Sequence, residues 1–468
     1  MAMLPENFPY FWALSVLGGI YVIFKLARFG SREKHLPPGP PTYPIVGNAH
    51  LVVDKDLYKR HHESLVLNSR RAVHELIDKR SAIYSSRPLD EQYHIALKGE
   101  NIASMKADAC WRAQRKITAR FFAPGKLDGD LAKISEAEVT TLMHDLLVTP
   151  KDFSKHVDRA TASFSSIALF GQRAKSMDDF WATVNAALSP GTYLPTEQFP
   201  IFKWVSKRWL ASTTRAEQGF SIPTRIWTQA RAHVEARRSQ GDKRASLMDE
   251  LLDDESAGRD DVAFHGSPTK LANFVGALMQ AAAETSALTM RTSIMFLAAN
   301  PVPTGIPHRC TEDNWYEGMF IPKDSTIMIP HWSLNHSPSS SPSPSPTTYN
   351  PSRYLSHPSL APTYAASADY ATRDHYTYGA GRRICAGMHL AERKQWRMLA
   401  RLLWAFRIER AVDEHTGKEV DIDTQAYEEK LIAGPKAFQV RFWPRSEEHR
   451  RVVEREMEGV RGMLGRWE

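Results

Sequence analysis

Cysteine is scarce: the 468 residues contain three, Cys110, Cys310 and Cys385. Three thiols cannot form a disulfide framework, which excludes a stapled secreted scaffold and points to a reducing compartment. Charge of one sign is scarce as well. Lys and Arg number 60 against 53 Asp and Glu, a formal net charge of +7. So small and dispersed an excess gives no case for a nucleic acid partner. It suits an anionic membrane surface or an acidic protein. Internal repeats are absent. With 42% hydrophobic, 10% aromatic and 24% charged residues, the chain has the composition of a globular protein with a large core, neither disordered nor fibrous.

Long uncharged runs are also few, and the clearest is N-terminal. Residues 8–24 carry no charge, and Ser15 is their only clearly polar side chain. As a helix they span about 25 Å, workable for a bilayer core of about 30 Å. Tyr10, Trp12 and Tyr21 sit near the ends, Glu6 precedes, and Lys25, Arg28, Arg32 and Lys34 follow. Aromatic rings at the ends and trailing cations describe an uncleaved single-pass anchor over 1–27 with its body in the cytosol. The alternative is a cleaved signal peptide, which would carry its charges ahead of the apolar run and end in a cleavage site. A basic, proline-rich hinge over 28–48 follows, with five prolines between His35 and Pro44. Fixed φ angles make it a stiff spacer. The main body runs from 49 to 445, and a charged tail from 446 to 468.

Within the body, apolar spacing predicts helices over 69–81, 109–122, 134–147, 206–238, 270–299 and 388–406. The 270–299 stretch is the longest apolar run after the anchor, so a buried helix is expected there. Residues 302–330 read as short strands, 336–348 (HSPSSSPSPSPTT) as a low-complexity loop, and 431–443 as strand. The fold class is mainly α with a minor β component towards the C-terminus.

The chemistry concentrates in Tyr378-Gly-Ala-Gly-Arg-Arg-Ile-Cys-Ala-Gly387, followed directly by an amphipathic helix. Gly379, Gly381 and Gly387 permit tight turning and close approach to a flat ligand. Cys385 precedes a helix start, where free amides favour a thiolate. A haem iron held by such a thiolate gains electron density that promotes O–O cleavage. Arg382 and Arg383 offer charge for a haem carboxylate. The bland alternative is a Gly/Arg-rich turn around a core cysteine.

This pattern resembles the haem-binding loop of the cytochrome P450 superfamily, Phe-Gly-x-Gly-x-Arg-x-Cys-x-Gly, with Tyr378 in place of the leading Phe. The resemblance covers nearly the whole chain in order and is closest to membrane-anchored fungal members. It implies haem b (heme b) ligated by Cys385. Trp111 and Arg115 match the family's Trp-x-x-x-Arg; at i, i+4 they share a helix face and could both reach one haem propionate. By themselves they would be an ordinary surface pair. Residues 281–286 (AAAETS) resemble the family's oxygen-side motif, which makes Glu284 and Thr285 the catalytic proton-delivering pair. The alternative for these two is a solvated helix face. Asn350-Pro-Ser-Arg-Tyr354 resembles the Pro-x-Arg-Phe element, whose arginine (here Arg353) joins a buried network with a Glu-x-x-Arg helix.

That helix is missing. Between Thr285 and Cys385 the only glutamates are Glu312 and Glu317, and neither begins Glu-x-x-Arg. Residues 297–301 run directly into 302–308, phrases that the family separates. Glu235–Arg238 and Glu458–Arg461 carry the spacing in the wrong order, in charged stretches that read as solvated faces. A second gap falls where residues 62–64 meet 65–68. The resemblance therefore implies an incomplete P450 fold.

The reading is a haem-thiolate monooxygenase inserting one oxygen atom from O2 into an apolar small molecule, in secondary metabolite biosynthesis. An NADPH-dependent flavoprotein reductase, docking near Arg115, Arg382 and Arg393, would supply electrons. The protein would sit in the endoplasmic reticulum membrane. One rival is a decayed, non-catalytic membrane paralogue that does not retain haem. Another is a haem-thiolate isomerase or dehydratase, against which the Glu284–Thr285 pair argues.

Overall fold

The computed structural model describes residues 15–24, 35–39, 64–88, 91–174, 211–259, 261–296, 306–335, 351–424, 426–428 and 434–468. The helices that carry the architecture are α1 (Ala109–Phe121), α2 (Asp130–Val148), α3 (Phe153–Phe170), α4 (Ala211–Ser239), α5 (Leu247–Ser256), α6 (Pro268–Phe296), α7 (Met388–Ala405) and α8 (Glu447–Gly465). Local sequence sets several of their ends. Asp108 caps α1 by accepting the Trp111 amide at 2.9 Å, and Ser246 and Ser446 cap α5 and α8 in the same way.

The long helix α6 is the buried spine that its composition predicts. It packs along α3 and α4, where Phe164, Ile167 and Leu169 of α3 meet Phe274, Val275 and Leu278 of α6 and Trp227 of α4. A second cluster joins α6 to α2, α7 and α8 through Met143, Met290, Ile294, Met398, Leu402 and Val453. The strands are β1 (Ser64–Val66), β2 (His308–Arg309), β3 (Asn314–Tyr316), β4 (Met319–Ile321), β5 (Thr326–Met328), β6 (Phe406–Arg410) and β7 (Val440–Pro444). They form one three-stranded sheet, β1-β5-β2, and two hairpins, β3-β4 and β6-β7. In the sheet β1 runs parallel to β5, Ser64 opposite Thr326, and β2 antiparallel, His308 opposite Ile327. A third cluster, with Val73, Leu76, Ile77, Tyr84, Ile327 and Tyr376, sits on this sheet. It is the floor on which the cysteine turn is laid.

Several expectations change. Among the described residues no helix is long and apolar enough to cross a membrane. The described part of the N-terminal run is an exposed helix over 15–24, too short alone to span. The segment read as a charged tail is α8, docked against α2. Val453, Met457, Val460 and Leu464 recur at helical spacing and turn inward, with Val453 and Leu464 fully buried, so the charges occupy only the outer face. Of the stretch read as strand over 431–443, β7 begins only at Val440. The helix read over 69–81 contains a π-helical turn, His74–Lys79, between two short α turns. Of the stretch Glu235–Arg238, Glu235 is exposed as read, while Arg238 is half-buried. Arg238 binds Asp249 and Asp253, and Glu235 binds Arg231. The junction around 297–305 and the low-complexity loop lie outside the described residues, as does the Arg353 side chain, whereas the second junction, between Ser64 and Leu65, falls within β1.

Candidate functional site

The cysteine turn hangs from the π-helical segment. Asp78 Oδ1 accepts the Gly381 amide at 2.8 Å, and its other oxygen lies 3.1 Å from Arg373 and 3.4 Å from His74. Gly381 has φ +61, and a Cβ there would meet the Ile77 carbonyl oxygen at 2.2 Å, so only glycine fits. Gly379 is also left-handed, at φ +77. The Cys385 amide closes the turn by donating to the Tyr378 carbonyl at 2.8 Å. Gly387 is the N-cap of α7, so the thiol stands just ahead of a helix start, as the motif predicts. Burial pushes the Cys385 thiol up, opposed by the Gly387 amide and the Arg115 guanidinium. Burial outweighs the helix end here.

Around this turn the fold gathers arginines, with an indole and a histidine beside them. Trp111 and Arg115 come from α1, Arg383 from the turn, Arg87 from the segment after Tyr84, and His308 from β2. Arg383 lies 4.0 Å over the Trp111 ring. Its guanidinium donates to the Ser85, Ile102 and Met105 carbonyls at 2.7, 3.3 and 2.5 Å. Arg115 donates to the Ile384 carbonyl at 2.7 Å, and Trp111 Nε1 to the Ile102 carbonyl at 3.2 Å. Arg87 donates to the Ala103, Ile306 and Pro307 carbonyls, and His308 Nδ1 bonds the Tyr84 carbonyl. Carbonyls satisfy these hydrogen bonds without neutralising the charge. Burial, then Arg87 and Arg115, brings Arg383 down to about 8, and burial with Arg115 brings Arg87 down to about 9. Burial lowers Arg115 as well, against the pull of Cys385. His308 falls to about 3, through burial and then Arg87. The nearest opposing carboxylate is Asp108, a minor influence on Arg383. Clustered, desolvated cations of this kind are a seat for an anionic group.

Arg87 and His308 escaped the sequence reading. Their flanks, Ser85-Ser86-Arg87-Pro88 and Pro307-His308-Arg309, each hold a cation beside proline, but only the tertiary fold turns them towards the cysteine. Asp78 likewise has no local signature. Arg382, offered together with Arg383, makes no bond comparable to those of its neighbour among the described contacts. Glu284 and Thr285 lie on α6, the Thr285 hydroxyl donating to the Ala281 carbonyl at 2.6 Å. Ala281 and Thr285 are exposed on a helix otherwise largely buried, so one strip of α6 is left uncovered there. No described contact joins them directly to the cysteine turn. α7 makes the connection, since Lys394 Nζ reaches the Ala282 carbonyl at 3.3 Å.

A mainly helical body thus sets a glycine-turned cysteine among buried arginines. The family profile described as "Cytochrome P450" matches residues 37–302 and 299–442, two pieces that meet at 299–302. The chain belongs to the cytochrome P450 family, and it is a monooxygenase and oxidoreductase of that family. It is 28% identical to cytochrome P450 monooxygenase atE of Aspergillus terreus, over 96% of this chain and 95% of that one. It is 30% identical to cytochrome P450 monooxygenase yanC of Aspergillus niger, over 95% and 96%. The atE alignment runs over 519 residues, more than the 468 of this chain, so that relative holds stretches that this chain lacks. A zebra fish cytochrome P450 structure with progesterone shares the fold at TM-score 0.63 and 19% identity, covering 83% of this chain and 95% of that one. Family membership brings haem with cysteine-thiolate ligation, a redox partner and a small-molecule substrate.

Proposed function

We propose that Cys385 is the iron ligand of a haem b, held at its carboxylates by Arg115, Arg383, Arg87, His308 and the indole of Trp111. The observation that carries this reading is the arginine cluster, in which Asp108, a minor influence on Arg383, is the one carboxylate acting on that guanidinium among the described residues. The two propionates of haem b are the charge that such a cluster lacks, so the residues present fit the group. Gly379, Gly381 and Gly387 keep the backbone low enough for a flat macrocycle, and Tyr378 backs the cysteine turn. When bound, thiolate-ligated haem supplies the electron density for splitting dioxygen. Glu284 and Thr285, at the uncovered strip of α6, hold and pass protons. The Cys385→Ser variant is expected to lose the red-shifted Soret band of the reduced carbonyl complex completely. An unchanged band would remove Cys385 from the role.

The substrate on this reading is an apolar small molecule of secondary metabolism, and electrons come from an NADPH-dependent flavoprotein reductase docking on the basic face. Residues 8–24 with the cations after them act as a single-pass anchor in the endoplasmic reticulum, supported by charge placement. External protease on sealed microsomes should digest the body. Protection of the body would reverse the topology.

The two-piece family match and the overlong alignment support a further part of this reading, that the segment with the Glu-x-x-Arg helix is missing at the 299–302 junction. The decayed, haem-free alternative predicts no Soret band in any variant, so the same spectra decide between the two.

A further inference from the structure

Lys394, which links α7 to α6, is one of the largest fully buried side chains, at 1% exposure. It lies on α7, the helix that starts directly behind the cysteine turn. Its Nζ donates to the Thr161 carbonyl at 3.1 Å and the Ser165 hydroxyl at 3.4 Å on α3, and to the Ala282 carbonyl at 3.3 Å on α6. It also lies 5.3 Å over the Phe164 ring. Every acceptor is neutral. A buried ammonium without a carboxylate is costly, so a side chain held this way has a second protonation state within reach.

A second observation comes from α6 itself. Thr285 Oγ1 donates to the Ala281 carbonyl at 2.6 Å, and Lys394 Nζ bonds the next carbonyl, Ala282. Two successive carbonyls therefore carry an added side-chain donor beside their helical amide, just ahead of Thr285. Such donors compete with the helical bond and tilt the carbonyl outward, loosening that turn. Ala282 is the helical acceptor of the Ser286 amide, so the pull of Lys394 falls directly behind the Glu284–Thr285 pair.

We propose that Lys394 is a positioning residue: by binding the Ala282 carbonyl it ties α7 to α6 and sets the backbone of the Glu284–Thr285 turn. This rests on the reading of that pair as the proton path. The protonation state of the amine sets the strength of the tie. Burial pushes its pKa down to about 7. The charged groups on the elements packed nearby are Glu284 on α6, Asp158 and Arg159 on α3, Glu138 on α2 and Arg393 on α7. Arg159 holds Glu138, Arg393 holds Asp128 and Asp158 faces Arg291, so burial alone governs the lysine.

The test uses the full chain with Lys394→Met, which keeps length and removes the donor, and Lys394→Arg, which keeps a donor that does not titrate. Hydrogen exchange at the Ser286 amide is read against a core amide of α2, Leu142. Lys394→Met is expected to slow Ser286 exchange about threefold or more, as its helical bond regains an undivided acceptor. After correction for intrinsic exchange, wild-type Ser286 should change rate near pH 7, Lys394→Met should be flat, and Lys394→Arg should be flat at the wild-type low-pH level. In haem-loaded protein the share of reducing equivalents lost to peroxide should follow the same three profiles. Unchanged Ser286 exchange with a wild-type pH profile in Lys394→Met overturns the proposal. Thr285→Ala separates the two readings. If it leaves peroxide release unaltered, the proton path itself is wrong, while the exchange data still decide what Lys394 does.

Discussion

The cysteine turn and the neighbourhood of Arg373 lie a few residues apart in sequence and are built to different degrees of completion. In the turn each strained feature is answered: Gly381 by Asp78 and Ile77, Cys385 by the Tyr378 carbonyl, Gly387 by the start of α7. Arg373, 3% exposed, gives Nη2 to the Ser367 carbonyl and pairs with Asp78 at 3.1 Å, but its Nε and Nη1 find no hydrogen-bond acceptor among the described residues. Arg309 Nη1 on β2 is in the same position. Both flank the part of the chain that follows the 299–302 junction. The contacts of the turn come from residues close in sequence and from the adjoining π-helical turn. A buried guanidinium with nitrogens left over needs further acceptors that local rearrangement cannot supply.

Three experiments break or sharpen this contrast. The largest effect is expected from inserting a relative's segment between Pro301 and Val302. Haem per chain, measured as the pyridine haemochrome, should rise from well below one towards one. A chain that already holds one stable haem would show that the unanswered guanidiniums are harmless. Breaking the intact side comes next. Gly381→Ala should destabilise by about 3 kcal/mol or more in urea unfolding, because the new Cβ collides with the Ile77 carbonyl and the φ is left-handed. A loss below about 1 kcal/mol would mean that the turn yields as easily as a surface loop.

The third and smallest concerns His308, whose pKa is depressed to about 3 by burial and by Arg87. The unfolded chain takes up this proton near pH 6.5 and the folded chain only near 3, so the unfolded state binds more protons between them. Stability should therefore fall as pH drops through that window. His308→Gln should flatten the slope by up to one proton, read from urea midpoints at several pH values. An unaltered slope would place His308 outside the buried cluster.

How much was legible varies with the range of the interaction. The cysteine motif, the Trp111–Arg115 pair and the long helix α6 could be read because each depends on spacing within one element. The docking of α8 was hidden by composition. Its inward stripe of Val453, Met457, Val460 and Leu464 is diluted by charges on the other face, and only α2 reveals which face turns in. The π-helical turn over His74–Lys79 has no local cue, although it supplies the seat of the cysteine turn.

By itself the sequence determined the class of chemistry, since the glycines at 379, 381 and 387 and the thiol at 385 are one local instruction. It also picked out the junction near residue 300, where the family profile matches in two pieces. Only the tertiary structure decided which other side chains share the site. Arg87, His308, Asp78 and Lys394 reach it from four separate elements, and each is brought in by burial of the apolar residues beside it. Hydrophobic burial is non-directional, so its pattern names the buried face and leaves the neighbours to packing.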